Sequence, residues 1–205
     1  MKNAKEEKIK SSHFLTPEEI NTITEGLKDN PKYDIQDRII WGVMIQSCNR
    51  VGAIARMTLS SLNLEDMMFE DIREKRGKQV EIIFEQDTKE LVEEWLEKRK
   101  DMDNCEVDSL LITKQNGKYQ PMAKNTIQLR VKKIGKILGL DDFRSHSIRK
   151  TAINQVYLET GSLELAASMG NHESTDTTKQ AYIKPKSKKE IKDEIAKLRE
   201  KNSKE

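Results

Sequence analysis

Apolar residues return at helical spacing along much of this chain, and that period constrains the fold more than any other feature. Ile35, Ile39, Ile40, Val43 and Met44 form one such set, and Ile127, Val131, Ile134 and Leu138 another. A repeat near 3.6 residues lays each set along one helical face. The stretch from Met67 to Phe84 breaks the pattern and reads as two strands about a turn at Arg76-Gly77-Lys78. Aromatic residues make up only 5% of the sequence, which disfavours a sandwich or barrel. The expectation is a mainly α fold with a small antiparallel β-sheet, built around one core.

Boundary signals refine this. Thr16-Pro17-Glu18-Glu19 supplies a cap, a proline at the first helical position and a reciprocal Glu, so a helix runs from there to about Lys28. The second helix carries the chain to Cys48-Asn49-Arg50, with Arg50 near its end. A short helical segment is expected around Ser60-Ser61-Leu62, and Asp87 opens a capped helix with Glu90 as its partner. Leu110-Leu111-Ile112 followed by Asn116-Gly117 reads as a strand and turn. A helix from Asn125 stops at Gly139, a residue suited to the left-handed cap. Another spans Ser145 to about Leu158 before Gly161, and two short ones span Leu163–Ser168 and Asp176–Tyr182. Residues 1–13 are charged and aperiodic, as in a disordered lead or linker stub. After Pro185 a highly charged helix is expected from about Ser187. Its Ile191, Ile195 and Leu198 form one narrow stripe suited to docking on a partner.

Net charge says little about partners, because 37 Lys and Arg balance 35 Asp and Glu. Segregation says more: Lys124, Arg130, Lys132, Lys133, Lys136, Arg144, Arg149 and Lys150 gather in one stretch, whereas carboxylates dominate residues 65–108. Cys48 and Cys105 lie far apart and form neither a disulfide framework nor a zinc motif. The N-terminus lacks an apolar signal region, and no stretch approaches the roughly 18 apolar residues of a membrane span. A soluble cytoplasmic protein is expected.

The candidate chemistry starts at His146-Ser147-Ile148-Arg149, where an imidazole and a guanidinium three residues apart share one helical face and can converge on an anion. Alone the pattern is common. Downstream stand Met169-Gly170-Asn171-His172, a polar run from Ser174 to Thr178, and Tyr182 before Ile183-Lys184-Pro185. Upstream stand Arg50, in Ser47-Cys48-Asn49-Arg50-Val51-Gly52-Ala53-Ile54, and the turn Lys75-Arg76-Gly77-Lys78. In this order, from Phe14 to Tyr182, the motifs resemble the tyrosine recombinase (phage integrase) family. The resemblance implies that Arg50 is the first catalytic arginine, Lys75 the lysine of the β-hairpin, His146 and Arg149 the H-x-x-R box, His172 the next phosphate contact and Tyr182 the nucleophile. It implies a catalytic domain over residues 14–184, with residues 185–205 as a charged helix docking in trans. Three positions depart from the family pattern. Ala53 stands where an acidic residue is usual, Asn171 separates Gly170 from His172, and the His172-to-Tyr182 interval is one residue longer.

These residue types suit phosphodiester chemistry. Negative charge grows on the non-bridging oxygens during in-line attack, and the two guanidiniums of Arg50 and Arg149 can stabilise it by charge-assisted hydrogen bonds. A phenol of ordinary pKa about 10 needs a cationic pocket to lose its proton. His146 is the candidate acid/base and Lys75 the proton donor to the leaving 5′ oxygen. The resemblance implies a site-specific DNA recombinase acting on double-stranded DNA as a homotetramer through a 3′-phosphotyrosyl intermediate, with no cofactor, metal or ATP. Residues 1–13 are too few for the family's N-terminal helical domain. The competing expectations are a type IB topoisomerase-like enzyme, and a catalytically impaired DNA-binding protein on the same scaffold.

Overall fold

Reciprocal capping starts the first helix, α1 (Pro17–Lys28). The Glu19 amide donates to Thr16 Oγ1 at 3.2 Å, and the Thr16 amide donates to Glu19 Oε2 at 2.8 Å. The computed structural model describes residues 14–28, 30–74, 77–103, 105–172, 174–183 and 192. Lys75, Arg76, the lead at residues 1–13 and the apolar stripe of the expected C-terminal helix therefore lie outside the described residues.

Helix α2 (Ile35–Ser47) opens on a second capping box, between Asp34 and Asp37. Its residues Ile39, Ile40, Val43 and Met44 are fully buried, and Trp41 on another face is buried too. A helix apolar on several sides belongs in the middle of a core, and α2 packs on α1, α4, α5 and α6. It ends where Cys48 enters the left-handed region at φ 56°. Arg50 thus lies beyond α2, as the residue before the short α3 (Val51–Ile54), and not in the last turn of α2.

A three-stranded antiparallel sheet follows, ordered β1 (Leu62–Asn63), β2 (Met68–Arg73), β3 (Gln79–Ile83). The segment at Ser60-Ser61-Leu62 is a turn feeding β1 and not a helix. The Thr58 amide donates to Ser61 Oγ and the Ser61 amide to Thr58 Oγ1, and these local bonds compete with helix formation. Phe69 pairs with Ile82 on the buried face, and the register then shifts by one residue before Ile72 pairs with Val80. Asp71, at φ 54°, sits in this bulge, a device that bends and re-aims a hairpin.

Helix α4 (Gln86–Lys100) begins two residues earlier than a cap at Asp87 implies, with Glu85 in the capping position and Asp87 inside its first turn. There Asp87 Oδ1 accepts from Gln46 Nε2 at 2.9 Å, tying α4 to α2, while Glu90 accepts from Gln86. Strands β4 (Ile112–Gln115) and β5 (Lys118–Pro121) make a hairpin across Asn116-Gly117. Both turn residues have positive φ, 50° and 77°, as a type I′ turn requires. Helix α5 (Lys124–Gly135) runs through a 3₁₀ turn to Gly139, at φ 70°. Then come α6 (Ser145–Thr160), α7 (Leu163–Met169) and α8 (Thr175–Tyr182). The architecture is mainly α with small antiparallel sheets, and among the described residues no helix is long and apolar enough to cross a membrane.

Most buried apolar residues form one cluster around α2. A smaller cluster joins Cys48, Ala152, Ile153, Ala166 and Tyr182. The second cluster closes the end of α2 against α6, α7 and α8, and there the candidate site residues meet.

Candidate active site

Arg149 organises the site. It lies in the first turns of α6 with only 3% of its surface exposed. Its Nη1 donates to the Cys48 carbonyl, its Nη2 to the Gly170 carbonyl, and Nη2 also to His172 Nε2 at 2.9 Å. One guanidinium thus ties α6 to the end of α2, the end of α7 and the loop beyond it. Its remaining nitrogen, Nε, is buried and has no hydrogen-bond partner among the described residues. A buried donor left unpaired is costly.

The Tyr182 ring closes α8 and is 8% exposed. His172 lies 4.4 Å from it between ring centroids, and His146 meets it edge-on at 5.4 Å. Arg149 Cζ stands 5.4 Å from the same ring. Three of the six residues singled out by sequence, His146, Arg149 and His172, therefore stand around the phenol of a fourth, Tyr182. Burial pulls the Arg149 guanidinium below its ordinary pKa, an effect that neighbouring Tyr182 counters.

Arg50 is on the open side of this group. Its Nη1 donates to Glu74 Oε2 at 3.0 Å, and its charge helps depress the pKa of both His146 and His172. Lys75 lies outside the described residues, but the hairpin on either side of it does reach the site. Glu74 touches Arg50, and Lys78 Nζ donates to the Asn171 carbonyl at 3.0 Å.

Two asparagines link the remaining segments: Asn49, to which the sequence assigns no role, and Asn171, which it shows only as a departure from the family pattern. Asn49 is buried and donates from Nδ2 to the carbonyls of Ser47 and Glu81, while its Oδ1 accepts from Asn171 Nδ2 at 3.1 Å. Asn171, the residue that separates Gly170 from His172, has φ 52°, a left-handed conformation that asparagine tolerates better than most residues. The inserted residue makes the turn and bolts it to the segment bearing Arg50. Gly170 is tightly enclosed: a Cβ there would stand 3.1 Å from His172 Cε1 and 3.0 Å from Ile153 Cδ1, so those side chains would have to shift by a few tenths of an ångström. Cys48 contributes only its carbonyl, for burial pushes its thiol up to about 12. Among the described residues, no three His, Cys, Asp or Glu side chains stand together as a metal site.

A family model described as "Phage integrase family" matches residues 13–189. The chain belongs to the phage integrase family. Solved structures share the fold of this integrase-family chain at low identity. XerA recombinase is 20% identical with a TM-score of 0.75, over 91% of this chain and 65% of its own. XerH recombinase, in a post-cleavage complex with a palindromic difH substrate, is 18% identical with a TM-score of 0.73, over 89% of this chain and 52% of its own. The Tn1549 transposon integrase in complex with transposon right end DNA is 16% identical with a TM-score of 0.68, over 94% of this chain and 68% of its own. The chain therefore spans about half to two thirds of the length of these recombinases. No curated protein matches it in sequence.

The protonation of His172 follows from its partners. Arginine only donates, so His172 Nε2 must accept from Arg149, and the proton belongs on Nδ1, which donates to Thr178 Oγ1 at 2.7 Å. Burial, together with the charges of Arg149, Arg50 and Lys78, pushes His172 down to about 4. Burial also lowers His146, reinforced by Lys150, Arg149 and Arg50. Between the ordinary imidazole value of 6.5 and about 4, the unfolded chain binds a proton at residue 172 that the folded chain refuses. Acidification across that window therefore favours unfolding, and stability rises with pH through it. Tm is expected to fall as pH drops from 6.5 to 4, and His172→Gln to flatten part of that slope. Thermal melts across pH check this, and an unchanged slope in the variant would refute it.

Proposed function

We propose that the protein cleaves and rejoins double-stranded DNA through a 3′-phosphotyrosyl intermediate, with Tyr182 Oη as nucleophile. The observation that carries this reading is the convergence of His146, His172 and Arg149 on the Tyr182 ring, next to the unpartnered Nε of Arg149. A phosphate drawn to Arg149 and Arg50 meets two guanidiniums, with neutral His172 holding Arg149 through Nε2. Tyr182 Oη forms a bond to phosphorus while the bond from phosphorus to the 5′ oxygen breaks. The phenolic proton passes to His146, and the 5′ oxygen takes a proton, a role assigned to Lys75. Charge developing on the non-bridging oxygens is stabilised by Arg50 and Arg149. The phosphotyrosine ester keeps the energy of the broken bond, so a 5′ hydroxyl reverses the step without ATP.

Tyr182 is nearly buried, so DNA binding must bring its hydroxyl and the phosphate together. XerH and the Tn1549 integrase were solved on DNA. We extend that partner to this chain, with exchange between two duplexes requiring four protomers.

The test uses nicked duplexes selected for binding from a random-sequence pool, incubated with the protein in excess chelator and run on a denaturing gel. A protein-linked strand whose attachment maps to Tyr182 by mass spectrometry is the expected result. Binding without any linked strand would leave a DNA-binding protein on a recombinase scaffold.

A further inference from the structure

We infer that Glu74 is a positioning residue for strand cleavage, supplying from the β2–β3 hairpin the carboxylate that orients Arg50. The inference rests on the function proposed above. Arg50 and Glu74 form a 3.0 Å ion pair across 24 residues of sequence. Their exposures differ sharply: 47% of the Arg50 side chain is open to solvent, but only 11% of Glu74. The carboxylate therefore holds the guanidinium from its buried side and leaves an open edge. Of five N–H donors, one is engaged by Glu74, and the others remain for a phosphate. A carboxylate competing for the phosphate's place would instead lie on the exposed edge.

The root of Glu74 is itself fixed. Its amide donates to the Lys78 carbonyl at 2.7 Å and its carbonyl accepts from the Gly77 amide at 3.3 Å, closing the neck of the hairpin. The β2 bulge aims that neck, and Lys78 secures its other arm to Asn171. On the near side of Arg50 position 53 offers no acidic group, being an alanine fully buried in the main core. Support for Arg50 thus comes from the neck of a hairpin distant in sequence, in a place the local motif does not reveal. An ion pair with one partner half exposed adds little to stability, so its value is geometric: a planar fork stabilises growing charge only when aimed.

The experiment measures three things: the single-turnover rate of covalent adduct formation at saturating DNA, the affinity for DNA, and Tm. Glu74→Gln, Glu74→Asp and a distant control, Glu94→Gln on α4, are compared. Glu74→Gln is expected to slow adduct formation by roughly tenfold to a hundredfold while affinity and Tm hold. Glu74→Asp should recover part of the rate, and the control should match wild type. In an Arg50→Ala background, followed for hours, Glu74→Gln should cost nothing further. An unchanged or faster rate in Glu74→Gln, slowing that persists without Arg50, or slowing accompanied by loss of the fold would each overturn the inference. Absence of adduct in the wild type would instead remove the proposed function itself, a result separable from any of these.

Discussion

Tyr182→Phe is expected to abolish the protein–DNA adduct while leaving both the fold and DNA binding in place. The ring sits in the small cluster with Cys48, Ala152, Ile153 and Ala166, and phenylalanine keeps those contacts and the approach of His172 at 4.4 Å. Only the hydroxyl is lost, so the change in stability should stay within about 1 kcal/mol. Chemistry has no such tolerance. Without Oη no atom on the ring can bond to phosphorus, and removing a nucleophile costs about a millionfold in comparable covalent catalysis. Gel-shift affinity, Tm and adduct yield measured together make the test specific. Adduct that survives in Tyr182→Phe would place the nucleophile elsewhere. Loss of binding or folding would mean that the phenol is chiefly structural.

Much of this site was legible because its parts repeat at short range. His146 and Arg149 lie three residues apart, and any helix there puts them on one face. The Thr16 and Glu19 cap, the Asn116-Gly117 turn and the Gly139 and Gly161 stops are likewise local, and each stands in the structure. The errors arose where local signals compete. Ser60 and Ser61 sit in a helix-compatible stretch, but hydroxyl bonds with Thr58 turn the chain into β1. Asp87 looks like a cap, yet its carboxylate is engaged by Gln46 from another helix. The left-handed turn at Cys48 moved Arg50 off the end of α2. The contacts of Glu74, Asn49 and Lys78 are illegible for a different reason. Their partners lie 24, 122 and 93 residues away, and no periodicity reports a contact made only when distant segments close on one another. Ala53 and Asn171 were visible as departures from a pattern, but only the fold shows that one is core and the other a turn with its own anchor.

Arg149→Lys is expected to damage stability and chemistry together, because one side chain serves both. The guanidinium spans three acceptors on three segments: the Cys48 carbonyl, the Gly170 carbonyl and His172 Nε2. A planar fork with five donors reaches them at once, whereas an ammonium is a point charge with three. Lysine there leaves at least one buried carbonyl unsatisfied and His172 without its donor, and each such group costs about 1–3 kcal/mol. Urea unfolding should therefore show a loss of about 2–4 kcal/mol. The rate should fall further than the stability. The guanidinium disappears, and with it the second planar cation that the proposed mechanism sets against the phosphate. Removing a positioned donor or arginine from a charge-stabilising site costs about a thousandfold or more. Adduct formation measured well below the unfolding transition, on saturating DNA, separates the two effects. A rate within tenfold of wild type would show that Arg149 is a structural clamp, and would leave Arg50 as the cation on which charge stabilisation depends.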